Sequence, residues 1–88
     1  MAGWEEAILK GLVSIDAGLS LNPKERLCLF YSGTYRRYFG QKLMKVGRRD
    51  DGREQLDRAL SDLKKASKLW PENENIASDI EEVQRSLR

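Results

Sequence analysis

Apolar residues recur every three to four positions through most of the chain, which is the spacing of one face of an α-helix. The first such stripe predicts a helix from about Trp4 to Ser20, which ends at Asn22-Pro23 because proline cannot continue the backbone hydrogen bonding. Its members are Trp4, Ile8, Leu12, Ile15 and Leu19. No stretch shows the alternation of apolar and polar residues that is typical of a β-strand. The pattern therefore predicts an all-α fold.

The Asn22-Pro23 pair also predicts the start of a second helix, because asparagine is a favoured N-cap and proline a favoured first helical residue. We expect this helix to end near Gly47, which has the position of a C-terminal glycine, and Gly40 predicts a bend within it. The predicted inner face is lined by Leu27, Phe30, Tyr31, Thr34, Tyr35 and Tyr38, and prolonged by Leu43 and Val46.

Residues 48–52 form the clearest predicted loop, and Asp51 within it is expected to cap a third helix. That helix stops at Pro71, and a fourth begins near Asn73 or Asn75. The fourth helix has a narrow apolar stripe, which suits a terminal helix that covers the edge of a core. The two stripes are Leu56, Ala59, Leu60, Leu63, Ala66 and Trp70, then Ile76, Ile80, Val83 and Leu87.

The segments that precede the two prolines resemble each other at a constant separation of 48 positions. Small residues at corresponding positions let a neighbouring helix approach closely, and the large residue between them fills the space beside that contact. Gly11, Ile15, Gly18 and Pro23 in the first segment correspond to Ala59, Leu63, Ala66 and Pro71 in the second. This echo predicts a repeated helix-turn-helix unit.

The second segment resembles the second helix of a tetratricopeptide (TPR) repeat, whose pattern places alanine, a large side chain and a terminal proline at similar spacings. The segment from Asn73 to Leu87 is similar to the helix that follows the last repeat in that family. The period differs from the usual value of about 34 residues, so the first helix or turn would be lengthened. The resemblance implies four helices as two antiparallel hairpins with a C-terminal capping helix, and a groove that binds a partner helix or peptide.

A chain of 88 residues is expected to form a single domain over residues 1–88 with one small core. It has no histidine and one cysteine, Cys28, which excludes histidine ligands, an internal disulfide and a multi-cysteine zinc site. No apolar run has the length of a membrane span, and the N-terminal segment lacks the pattern of a signal peptide. We therefore expect a cytoplasmic, non-enzymatic protein without a cofactor, a bound metal or a membrane contact.

The net charge is only +2, but the charge is unevenly distributed. The range Arg36–Arg53 has seven basic and two acidic residues, whereas Glu72–Arg88 has two basic and five acidic residues. A basic region beside aromatic side chains is typical of a surface that recognises an acidic partner. The predicted partner-binding residues are Tyr35, Arg36, Arg37, Tyr38, Lys42, Lys45, Arg48 and Arg49.

For Tyr31 and Tyr35 the favoured interpretation is packing in the core, with their hydroxyl groups at its edge, and the recognition surface is the alternative. Arg36, Arg37 and Phe39, in contrast, are expected to be exposed. Because repeat architectures usually need about three units for stability, we expect either unusually long helices or a partner, which could be a second copy, that covers the groove.

The main functional hypothesis is a protein-interaction module, namely an adaptor, scaffold or small co-chaperone, that binds an acidic helix or peptide or forms a homodimer. The alternative is a small nucleic-acid-associated protein that uses the basic patch Arg36–Arg53. The low net charge and the lack of a nucleic-acid-binding motif make nucleic acid the less favoured partner.

Overall fold

A computed structural model describes residues 3–88, and this part of the chain contains four α-helices and no strand. The helices are α1 (Gly3–Leu21), α2 (Arg26–Lys45), α3 (Arg49–Leu69) and α4 (Glu74–Leu87). The predicted all-α fold is confirmed. Met1 and Ala2, which belong to the segment inspected for a signal peptide, lie outside the described residues.

The two helices of each pair are antiparallel, because residues near the start of one helix contact residues near the end of the other. Trp4 at the start of α1 packs edge-to-face on Phe39 in the second half of α2, with the ring centroids 6.1 Å apart. Likewise, Arg53 near the start of α3 donates a hydrogen bond to the carbonyl oxygen of Leu87 at the end of α4. The α1–α2 and α3–α4 pairs are therefore the two predicted hairpins.

The 48-position echo is a repeat of backbone geometry as well as of residue type. Helix α1 ends at Leu21 and α3 at Leu69, and the N-caps of the helices that follow are Glu25 and Asn73. In each turn the N-cap residue donates its backbone N–H to the carbonyl oxygen three positions before it, at 3.1 Å in both cases. The two hairpins thus share the same turn.

Helices α2 and α3 form the most extensive contact of the fold because glycines remove side chains from their interface. A Cβ atom on Gly40 would lie 2.9 Å from the carbonyl oxygen of Gly52, and a Cβ atom on Gly52 would lie 2.9 Å from that of Gly40. About two turns nearer the start of α2, Leu63 of α3 occupies the space beside Gly33. The two backbones therefore touch, and α2 continues through Gly40 as a helix.

The buried side chains form two clusters, one on each side of α2. The smaller cluster joins α1 to α2 and consists of Leu12, Phe39 and Leu43, with Trp4 and Ile8 packed against it. This confirms the apolar stripe of α1. The larger cluster joins α2, α3 and α4 and consists of Leu29, Leu56, Ala59, Leu63, Ala66, Ile76 and Val83. Its α3 and α4 members all belong to the predicted stripes.

The predicted inner face of α2 is largely wrong, although Phe30 on it packs against the larger cluster. Leu27, Tyr31, Tyr35, Tyr38 and Val46 are between 40% and 59% exposed, and only Leu43 of the buried face had been included. Helix α2 contacts α1, α3 and α4, and small and polar residues on it are buried where these helices approach. The buried residues are Leu29, Ser32, Gly33, Arg36, Phe39, Gly40 and Leu43.

The C-terminus of α2 has the predicted glycine. Gly47 has a φ of +89°, a left-handed conformation that glycine adopts without a Cβ clash. Its N–H donates to the carbonyl oxygen of Met44, and that of Arg48 donates to Leu43, which is the pattern of a Schellman motif. This tight turn leads directly into α3.

The predicted N-caps of α2 and α3 are wrong. Asn22 instead accepts the N–H of Lys24 within the turn, and Glu25 caps α2 by accepting the N–H of Leu27. Helix α3 begins at Arg49, so Asp51 lies in its first turn rather than at its cap. Acidic residues in a first turn are stabilised by the helix dipole, which allows the predicted loop to become helix.

Candidate partner-binding groove

A row of exposed aromatic and apolar side chains, interrupted by the partly buried Thr34, lies along α2 between α1 and α4. We call Leu27, Tyr31, Thr34, Tyr35 and Tyr38 the tyrosine face. Its three tyrosines are 40–51% exposed, and Leu27 is 44% exposed. From Leu27 to Tyr38 the row covers about 17 Å of helix, at a rise of about 1.5 Å per residue. It is the floor of a groove, with α1 and α4 on either side.

The groove contains two clefts that share Tyr38 as a common wall. The inner cleft has a volume of about 370 Å³ and is lined by Ala7, Ile8, Thr34, Tyr35, Arg37 and Tyr38. The terminal cleft has a volume of about 570 Å³ and is lined by Trp4, Tyr38, Gln41, Lys42, Met44, Lys45, Val46 and Ser86. Each cleft is large enough for a bulky side chain of a partner.

Lys42 is held against the aromatic wall of the terminal cleft. Its Nζ atom lies 5.1 Å from the centroid of the Trp4 ring and 5.7 Å from that of Tyr38, both within the range of cation–π attraction. Trp4 itself packs on Phe39, as expected from its position in the first stripe. This arrangement fixes a positive charge at the mouth of an apolar cleft.

Arg36 is buried, with only 5% of its surface exposed, and the expectation that it is exposed is wrong. Its guanidinium donates to Gln55 of α3 at 3.0 Å and to Asp16 of α1 at 3.2 Å. The Nε atom donates to the hydroxyl of Ser32 at 3.3 Å and lies 3.7 Å from a carboxylate oxygen of Asp62. Arg36 therefore joins α1, α2 and α3 and is removed from the predicted partner surface.

Arg37 points to the other side of α2, towards α4. Its guanidinium lies 3.0 Å from a carboxylate oxygen of Glu82 and 3.8 Å from one of Asp79. Its side chain is 19% exposed, so the groove contains little of its charge. Next to it, Gln41 donates to the hydroxyl of Ser86 at 3.1 Å. The predicted pair of surface arginines thus attaches α2 to its neighbours on both sides.

Phe39 is likewise buried, at 4% exposure, and its expected exposure is wrong. The side chains that were expected to be exposed are therefore all largely buried: Arg36, Arg37 and Phe39. The reason is the register of α2, whose face towards α1 and α3 includes Arg36 and Phe39 rather than the tyrosines.

Arg48 is exposed but paired at the turn between α2 and α3. It donates to Glu5 of α1 at 3.0 Å and to Asp51 at 3.1 Å. These hydrogen bonds, first that of Glu5 and then that of Asp51, raise the pKa of the Arg48 guanidinium above its usual value. Arginine is always charged in proteins, and the two carboxylates largely compensate the charge of Arg48.

The remaining predicted residues stay available at the surface. Tyr35 and Tyr38 lie on the tyrosine face, and Lys42 and Lys45 line the terminal cleft. Arg49 is exposed and forms no ion pair with the described residues. The structure brings these aromatic and basic residues to one side of α2, except for Arg49 at the start of α3.

Several residues that line the clefts were missed because they come from distant parts of the sequence. Ala7 and Ile8 of α1 and Ser86 of α4 lie beside α2 only through the packing of three helices. The sequence gives little indication of their role, because small and apolar residues at the edge of a helix occur both in grooves and in cores. Trp4, which lines the terminal cleft, was predicted only as a member of the first apolar stripe.

Within residues 3–88, no cluster of acidic and cysteine side chains has the arrangement of a metal site. None of the described helices combines the length and apolar character that crossing a membrane requires. No protein-family model, curated protein or solved structure matches the chain.

Proposed function

We propose that this protein is a non-enzymatic protein-interaction module, an adaptor, scaffold or small co-chaperone, whose groove binds a helix or peptide of a partner protein. The observation that carries the proposal is the tyrosine face. A folded chain of this size exposes three tyrosines and a leucine on one side of a single helix. Tyrosine is enriched in binding hot spots because it combines a large contact area with a hydrogen-bonding group.

The helix arrangement supports a TPR-like module as the class of fold that presents this groove. Ala59, Leu63 and Ala66, which suggested the resemblance, are all fully buried in α3. Helix α4 packs on both α3 and α2, as a terminal helix that covers a hairpin would do. The repeated turn also agrees with a unit built from two similar hairpins.

The surface charge favours an acidic protein partner over nucleic acid. Arg36, Arg37 and Arg48 of the basic patch are paired with carboxylates of this same chain. Binding to nucleic acid depends on the release of counterions by cations that reach the phosphates, and paired arginines contribute little to it. The unpaired lysines of the terminal cleft are sufficient to steer an acidic helix or peptide.

Site-specific photo-crosslinking tests this proposal in a cell extract. A benzophenone amino acid is placed at Tyr38 in the groove and, as a control, at the exposed Arg58 on the outer side of α3. We expect one protein to crosslink at position 38 and not at position 58, and to bind the purified chain afterwards. Equal crosslinking at both positions, or crosslinking to nucleic acid alone, would reject the proposal.

A further inference from the structure

The unpaired positive charge of the groove is concentrated at one end of α2. What this charge implies about the partner that occupies the groove rests on the proposed function. Lys42 and Lys45 lie at the C-terminal end of α2, and neither forms an ion pair with the described residues. In the middle, Arg37 is compensated by Glu82 and Asp79. The groove therefore attracts carboxylates chiefly at its terminal cleft.

At the other end, the tyrosine face is bordered by a cation that is already engaged. Arg26 lies 3.9 Å from Glu72 and 4.4 Å above the ring of Trp70. Leu27 and Tyr31 next to it are apolar over most of their surface. A partner thus meets an apolar region at the start of α2 and a basic region at its end.

The same charges argue against a second copy of the chain in the groove. If two tyrosine faces met in an antiparallel arrangement, Lys42 and Lys45 of one copy would approach the start of α2 in the other, where Glu25 caps the helix and Glu72 is paired with Arg26. In a parallel arrangement, Lys42 and Lys45 would approach their own equivalents. The antiparallel contact leaves both lysines without a free carboxylate and the parallel contact sets like charges against each other, whereas an acidic partner supplies carboxylates to both lysines.

The two clefts follow one another along α2. Tyr35 in the inner cleft and Lys42 in the terminal cleft are two turns apart on α2, a distance of about 10 Å. Apolar residues at positions i and i+7 of a partner helix have the same separation, and position i+3 or i+4 between them would cross Tyr38. An amphipathic helix therefore matches the groove.

We propose that the groove binds an amphipathic acidic helix antiparallel to α2, with the carboxylates of its first turn above Lys42 and Lys45. Carboxylates in a first turn stabilise their own helix, since the N-terminus is the positive end of the helix dipole. In this direction the positive end of the partner also lies near the negative end of α2. The first-turn carboxylates and the alignment of the two helix dipoles therefore both favour the antiparallel orientation.

Two designed peptides of identical composition test the orientation on the full chain. Each is an 18-residue helix with blocked ends and leucines at i, i+4 and i+7, and the glutamates are placed either in the first or in the last turn. We expect the first-turn peptide to bind about fivefold more tightly, since two surface charge pairs contribute at most a few-fold each. A nitroxide at its N-terminus should broaden the amide signals of Lys45 more than those of Tyr31.

Charge reversal of the lysines supplies the matched comparison. The K45E variant and the K42E/K45E variant should lose the preference for the first-turn peptide while the tyrosine face still shows chemical-shift changes. The K64E/K65E variant, which reverses two exposed lysines of α3, should keep the preference. Because Lys42 contacts Trp4, the K45E variant alone keeps the test valid if the double variant unfolds.

Four outcomes would overturn the inference. Equal affinities of the two peptides, or strong broadening at Tyr31 by the N-terminal nitroxide, would reject the orientation and leave the proposed function standing. No shifts on the tyrosine face with either peptide at millimolar concentration would reject both. Dimerisation of the free chain through the tyrosine face, observed by light scattering and abolished by the Y38E variant, would replace the acidic helix by a second copy.

Discussion

Replacing Arg36 by methionine tests whether this residue stabilises the fold or binds a partner. Methionine keeps much of the volume of the side chain and removes its charge. The substitution leaves Asp62, which is only 19% exposed, without its cation, and removes the hydrogen bonds to Gln55 and Asp16. A role in partner binding alone would leave the stability unchanged.

The structure sets the expected magnitude at the lower end of the range for a broken buried ion pair, which is about 3–5 kcal/mol. The side chain of Asp16 is 53% exposed and is rehydrated when Arg36 is removed. Asp62 still accepts the hydroxyl hydrogen of Ser32 at 2.6 Å, which partly satisfies it. We therefore expect R36M to lower the free energy of unfolding by about 3 kcal/mol.

Urea denaturation followed by circular dichroism measures this loss. With an m-value of about 1.5 kcal/mol/M, the midpoint should fall by about 2 M. The exposed and unpaired Arg49 supplies the control, because R49M should change stability by less than about 0.5 kcal/mol. Adding D62N to R36M should recover about 1 kcal/mol, since it removes the orphaned charge. An R36M midpoint equal to that of R49M would refute this account of Arg36.

Three further substitutions test the packing and the turn. G40A should cost about 1–3 kcal/mol despite the higher helix propensity of alanine, because the new methyl group meets the backbone of α3, whereas G3A, with open space around it, should cost nothing in the same thermal melt. G47A should cost about 1–2 kcal/mol through its left-handed conformation, and a neutral result in urea would contradict the Schellman turn. L63A should cost about 2–5 kcal/mol because the side chain is fully buried, and a loss no larger than that of the exposed L21A would contradict the assigned core.

Much of the fold is predictable because it depends on local signals. The stripe of α1 and those of α3 and α4 face a core on one side only, so the periodic apolar residues coincide with the buried ones. The 48-position echo predicted equivalent turns, since the same small residues and prolines impose the same geometry. Gly47 was recognisable from its place after the last helical turn.

Helix α2 was not predictable in the same way, because its environment is set by three other helices. Burial of Ser32 and Arg36 requires Asp62 and Gln55 of α3, whose positions depend on the tertiary packing. The periodicity predicts that the tyrosines form the inner face of α2, whereas α3 approaches the side that contains Gly33 and Gly40. Periodicity gives the correct helix here and the wrong orientation.

The residues of the candidate groove were only partly predictable for the same reason, because they lie on α2. The sequence singled out Tyr35, Tyr38, Lys42 and Lys45, which the structure places on one exposed side of α2. It did not separate these residues from Arg36, because neighbouring basic residues on a helix look alike until their carboxylate partners are known. Pairing of charges between distant segments thus decides which part of a basic patch is a surface.

The affinity of the crosslinked partner for a variant of the tyrosine face tests the central claim most directly. Isothermal titration calorimetry compares Y31A/Y38A with L9A/V13A, which removes two exposed apolar side chains of α1 outside the clefts. Truncation of two hot-spot tyrosines should weaken binding about 30-fold or more, and the α1 variant should bind as the unaltered chain does. Equal affinities of the two variants, with both still folded, would contradict the proposal that the groove of α2 is the binding site.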